Sequence, residues 1–83
     1  MHTNFPNPFN PSTTIGYDLK EAADVRLTVF DLLGRQVATL VNAHQNAGRY
    51  SVNFEAGAMP SGVYFYRLET LEFSDMKKMM LLK

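Results

Sequence analysis

Arg49-Tyr50-Ser51-Val52-Asn53-Phe54-Glu55 alternates apolar and polar side chains without a break. Successive side chains of an extended strand point to opposite faces, so Tyr50, Val52 and Phe54 share one face and Arg49, Ser51, Asn53 and Glu55 the other. The stretch predicts a half-buried strand, which needs further strands to cover its apolar face. Upstream, Ile15, Tyr17 and Leu19 alternate with Thr14, Gly16 and Asp18, and Val25, Leu27 and Val29 alternate with Arg26, Thr28 and Phe30. The second of these runs ends at Asp31-Leu32-Leu33-Gly34, where Gly34 has the backbone freedom for a turn into a third strand over about Arg35 to Val41.

Asn42 to Gly48 is rich in Ala, Asn, Gln and His without apolar periodicity, and predicts a loop closed by Gly48. Gly57, Pro60 and Gly62 punctuate the connection to Val63-Tyr64-Phe65-Tyr66, whose bulky residues on both faces predict a central or doubly covered strand. A final strand runs from about Phe73 to Leu82 after a tight link at Thr70 to Glu72. Glu21-Ala22-Ala23 has room for one helical turn, and no other stretch has helical period over a useful length. Six strands, with room for a seventh, separated by Gly and Pro, predict an all-β antiparallel sandwich or small barrel. Ahead of it, residues 1–11 include Asn4-Phe5-Pro6-Asn7-Pro8-Phe9-Asn10-Pro11, whose closely spaced prolines remove amide donors and favour extended backbone. This segment reads as a linker, or as a lid if Phe5 or Phe9 folds back on the first strand, and residues 12–83 form the sandwich.

An 83-residue chain holds one domain, burying only about 60–65% of the surface its unfolded form exposes. At 46% hydrophobic and 19% charged residues the composition is that of a globular protein. Eight basic and eight acidic residues cancel, which argues against a nucleic-acid partner, since affinity for phosphates needs a basic field. No cysteine is present, so disulfides, thiolate nucleophiles and cysteine metal sites are excluded. No apolar run approaches the roughly 20 residues of a membrane-spanning helix, and no membrane insertion is expected. Met1-His2-Thr3-Asn4 lacks the order of a secretory signal. An exported protein containing this chain would therefore carry its signal upstream, and Met1 fits a domain taken from the end of a longer protein.

The chemical inventory is thin. His44 sits in a polar stretch with no second ligand at metal-binding spacing, and His2 lies at a terminus. Ser61, in Met59-Pro60-Ser61-Gly62, lacks the strand-to-helix context of a nucleophile elbow. Asp18, Asp24, Asp31 and Asp75 fall at strand edges or turns and suggest no catalytic pair. The glycines are scattered, with no phosphate-cradling loop. The expectation is a non-enzyme without cofactor or metal. Tyr64, Tyr66 and Phe30 would support an alternative, a carbohydrate-binding or surface-anchoring module, if their rings form an exposed platform; core packing is the other reading of the same residues. Lys77, Lys78 and Lys83 read as lysines that guard an edge strand against aggregation.

Four blocks occur in order: Asn7-Pro8-Phe9-Asn10-Pro11-Ser12-Thr13-Thr14-Ile15, Val29-Phe30-Asp31-Leu32-Leu33-Gly34-Arg35-Gln36-Val37, Ser61-Gly62-Val63-Tyr64-Phe65-Tyr66-Arg67-Leu68 and Lys78-Met79-Met80-Leu81-Leu82-Lys83. Together they resemble the type IX secretion system C-terminal sorting domain, a family related to immunoglobulin-like modules that cap flagellar hook assembly proteins. The resemblance implies an immunoglobulin-like sandwich joined to an N-terminal cargo domain. Its implied partners are the outer-membrane secretion translocon and a cell-surface cysteine peptidase, reached through the periplasm of a Gram-negative bacterium on the way to the surface. Carried over by position, Gly34 and Arg35 lie in the family's Leu-Gly-Arg turn, Gly62 and Tyr64 in its Gly-x-Tyr element, and Lys78 and Lys83 in its terminal lysine block. These six are the recognition candidates the resemblance implies. The chain departs from the pattern at Gly16, where a basic or large polar residue is usual, at Lys20-Glu21 and at Thr70-Leu71.

Overall fold

The alternation in Ser12–Leu19 (β1) and Gly48–Glu55 (β4) is what pairs them. They run antiparallel with Thr13 opposite Phe54, Ile15 opposite Val52 and Tyr17 opposite Tyr50, so the inward sets of both strands meet on one face. The Tyr17 and Tyr50 rings stack with centroids 5.3 Å apart, a cross-strand pair that fixes this register. The computed structural model describes residues 1–83 and adds β2 (Ala23–Asp31), β3 (Gln36–Gln45), β5 (Gly62–Glu69) and β6 (Ser74–Leu81). These four form a second antiparallel sheet in the order β3-β2-β5-β6. The links β1 to β2, β3 to β4 and β4 to β5 each pass from one sheet to the other, giving the two layers of a β-sandwich.

Fourteen buried apolar residues form one core cluster, drawn from both sheets. Ile15, Tyr17 and Leu19 of β1 and Phe54 of β4 belong to it, as do Val25, Leu27 and Val29 of β2, Tyr64, Tyr66 and Leu68 of β5, and Met79 and Leu81 of β6. Each set is spaced by two, so strand periodicity alone assigns the inward face. β5 lies between β2 and β6, as the bulky residues on both its faces require, and its outer residues Val63, Phe65 and Arg67 are half-buried. Glu21-Ala22 forms no helical turn; these residues lie in the link out of β1, and Ala23 already begins β2.

β3 is longer than its sequence predicts. It runs to Gln45, so the residues from Asn42 onward that read as a loop are mostly strand, and the connection to β4 is only Asn46-Ala47. Gly48 begins β4 instead of closing a loop. The reason is position: β3 borders its sheet and is bonded only to β2. Much of it faces water, so polar residues such as Asn42 and His44 cost little there and the periodic signal is lost.

The N-terminal segment is packed across the side of the sandwich. His2 N–H donates to Gly16 O (2.8 Å), and Phe5 and Thr14 exchange two backbone hydrogen bonds of 3.0 and 2.9 Å. Beyond Pro6 and Pro8 the chain has moved to the other sheet, where Phe9 N–H donates to Met80 O (2.9 Å) and Leu82 N–H donates to Phe9 O (3.0 Å). Prolines cannot donate, which explains why these contacts never merge into a seventh strand. Phe9 is 1% exposed and packs edge-on against Phe54 at 6.1 Å, while Phe5 is 80% exposed. Asn4 is buried too: its N–H donates to Tyr66 Oη (2.9 Å), and its side-chain amide donates to Thr13 Oγ1 (3.0 Å). Tyr66 Oη in turn donates to His2 O (3.0 Å), so one hydroxyl serves the segment twice. Burial pushes the Tyr66 hydroxyl above its ordinary pKa, and it stays a neutral donor.

Candidate recognition site

Antiparallel pairing places Gly34, Arg35, Gly62, Tyr64 and Lys83 at one end of the sandwich, although they come from three separated stretches of chain. Asp31, at the end of β2, is opposite Tyr64, near the start of β5, and Gly62 is opposite Leu81, near the end of β6. The turn from β2 to β3 therefore lies beside the link from β4 to β5 and the C-terminal residues.

The β2–β3 turn is organised by Asp31, a residue that sequence reading treats only as a strand-edge acid. Its Oδ1 accepts from the N–H of Leu33 (3.0 Å) and of Arg35 (2.9 Å), and its Oδ2 accepts from Arg35 Nε (2.7 Å). The Arg35 amide, with the Arg35 guanidinium and the Leu33 amide, holds this carboxyl below its ordinary pKa. Gly34 has φ of 84°, the left-handed conformation that only glycine adopts without strain, and its N–H donates to Asp31 O (3.0 Å). The signal that finds Asp31 is an Asp three residues before a Gly in a turn, where the short carboxylate caps nearby amides.

Tyr64 is 4% exposed and its hydroxyl donates to Pro60 O at 2.7 Å. A tyrosine near the start of a strand bonding back to the preceding corner is the tyrosine corner of immunoglobulin-like sandwiches. It holds the β4–β5 link in place. Lys83 is tied to the same link, its N–H donating to Ser61 Oγ (3.0 Å) and its Nζ to Gly57 O (3.0 Å). Between this link and the β2–β3 turn lies an open groove of about 350 Å³ lined by Leu32, Leu33, Arg35, Val37, Met59 and Gly62 among others. Leu32 and Leu33 are exposed along it, at 67% and 77%, and Leu82, 50% exposed, precedes Lys83 at the same end. Isolated exposed leucines are ordinary, but several at one end form a patch of the kind proteins use for contact. Lys78 lies apart from the other five, exposed on the outer face of β6 opposite Phe65.

The opposite end holds the β1–β2, β3–β4 and β5–β6 links and the N-terminus. The Met1 ammonium lies 4.0 Å from Asp75 Oδ2 near the start of β6. Whatever precedes Met1 would leave from this end, opposite the groove.

The other chemical candidates have structural partners. His44 Nδ1 pairs with Asp24 at 2.8 Å and His2 Nε2 with Asp18 at 2.9 Å, both at the surface. No cluster of His, Asp and Glu is arranged to hold a metal ion. Tyr64 and Tyr66 point into the core, and the Arg67 guanidinium covers the Phe30 ring at 4.7 Å, so these three rings form no exposed platform for a sugar.

A family model described as a secretion system C-terminal sorting domain matches residues 3–82. Comparison with curated proteins returned no match, and comparison with solved structures returned none. The matched span takes in the packed N-terminal segment from Thr3, all six strands and the groove end as far as Leu82, with Lys83 just outside it. The chain belongs to the family of C-terminal sorting domains of the type IX secretion system.

Proposed function

We propose that this domain is a non-catalytic sorting signal that carries an N-terminally attached cargo through the outer-membrane type IX translocon to the cell surface. The translocon reads it at the end formed by the β2–β3 turn, the β4–β5 link and the C-terminal lysine. The observation that carries the reading is this convergence: five candidates from distant blocks meet at one end of the molecule, and the N-terminus leaves from the other. A receptor could grip that end while the cargo hangs free. Gly34 and Tyr64 serve by shaping the turn and the corner; Arg35, Lys83 and the exposed Leu32 and Leu33 offer the contact surface. Family membership supports the sorting role and secretion to the surface or beyond.

A reporter bearing an export signal and this domain, expressed in a host with the type IX system, is expected outside the cell. Deleting residues 78–83 is expected to trap it in the periplasm. That deletion also removes Met79 and Leu81 from the core, so Leu33→Asp and Arg35→Glu, at exposed turn positions, provide the sharper trial. Both variants are expected to fold and to lower surface reporter at least severalfold. Normal export of the pair would move recognition away from this end, and no export by the intact domain would sink the sorting role itself.

A further inference from the structure

The outer edge of β6 is half covered and half open. Met80 N–H donates to Asn7 Oδ1 (3.0 Å) and Met80 O accepts from Phe9 N–H (2.9 Å), so both backbone groups of Met80 point away from β5. In an antiparallel ladder this outward orientation recurs at every second residue, which assigns it to Lys78, Met76 and Ser74 as well. No hydrogen bond outside the β5–β6 ladder reaches the backbone groups of those three residues. The N-terminal segment thus adds to the edge in the parallel sense beside Leu81, then stops. What remains is a row of aligned donors and acceptors in the phase the edge has already used to bind an extended segment.

The side chains along the row define what would fit. Met76 and Lys78 stand exposed on the outer face, beside Arg67 and Phe65 of β5. Neither Lys77 nor Lys78 has an ion-pair or hydrogen-bond partner, and Asp75 is the one acid on β6. Two lysines on the strand repel a second copy of it and favour a segment bearing carboxylates. The other border strand of this sheet, β3, is less suited: the β2–β3 register skips Leu40 and Val37, bulges that break its row of backbone groups.

We propose that Ser74–Lys78 is a strand-addition site for an extended segment of a partner protein that alternates apolar and acidic side chains. The Met76 and Lys78 backbones supply the hydrogen bonds, and the lysine ammonium groups select the charge. The site stands on backbone geometry and does not depend on the sorting reading.

The probe is a synthetic peptide alternating valine and glutamate over about eight residues, an ordinary strand length, added to the 83-residue domain. Amide exchange at Met76 and Lys78 is expected to slow, with that at Tyr66 and Leu68 unchanged, and a valine–lysine peptide is expected not to bind. Met76→Pro removes an outward N–H and no bond to β5, so it should keep the near-ultraviolet circular dichroism of the fold yet weaken the peptide at least tenfold. Lys78→Glu leaves the backbone intact and should weaken the glutamate peptide while admitting the lysine one. Absence of binding at millimolar peptide, protection elsewhere than β6, or indifference to both substitutions overturns the proposal. Export of a reporter by the intact domain is scored separately: its failure would refute sorting and leave the peptide result standing.

Discussion

Asp31 turns the meeting of two strands into a defined corner by gathering three donors from Leu33 and Arg35. Its carboxyl is held below the ordinary value of 3.8 in the folded protein. The sign follows from linkage: a lowered folded pKa gives stability that is complete above the unfolded value and is lost as pH falls through the folded one. Acid titration of the turn, followed by the amide shifts of Leu33 and Arg35, is therefore expected to show both moving together below pH 3.8. Asp31→Ala is expected to abolish the transition and leave those amides mobile at neutral pH. A transition that persists in the variant would assign it to another acid.

Phe9 and Phe5 set the same residue type in opposite circumstances on one segment. Phe9→Ala removes a ring from a site 1% exposed, and is expected to destabilise by about 3–5 kcal/mol, the usual cost of emptying a core phenylalanine site. Phe5→Ala, at a site 80% exposed, should fall within about 0.5 kcal/mol of the parent. Urea unfolding of the two variants checks both figures, and equal effects would mean that the segment is not part of the folded unit. Sequence reading locates such elements where one face is dry: β1, β2 and β4 were legible because Ile15, Leu27 and Phe54 mark an inward face at every second place. It fails where burial is not reported by apolar residues. β3 faces water along much of its length, so Asn42 and His44 mask a strand. Asn4 is a polar residue held inside by Tyr66 and Thr13, and nothing in its sequence neighbourhood foretells those partners. Of the candidate site, the turn at Gly34 and the corner at Tyr64 could be read from residue types, but their meeting with Lys83 is a product of strand pairing and appears only in three dimensions.

At the scale of the whole molecule the sandwich has polarity. Its N-terminus leaves at the end bearing the β5–β6 link, while Lys83 is bonded into the β4–β5 link at the other. A folded protein fused ahead of Met1 is expected to leave export intact, whereas the same protein fused after Lys83 should cover the groove and block it. Comparing surface signal from the two fusions in a type IX host measures this, and equal export from both would show that the Lys83 end need not be reached.

The hydrogen bond from Met80 N–H to Asn7 joins residues 73 positions apart in the chain. Closing so long a loop costs entropy that no local contact offsets in advance, and the closure becomes favourable only once β5 and β6 have paired. In time, then, the stretch from Asn7 to Phe9 is expected to be the last part to seat on β6 and the first to lift from it, whereas His2 and Phe5 have nearby partners in Gly16 and Thr14. Native-state hydrogen exchange should find the amides of Phe9 and Leu82 opening at lower free energy than those of Val29 or Tyr66, so the two ends of the chain report the beginning of unfolding before the core takes any part in it.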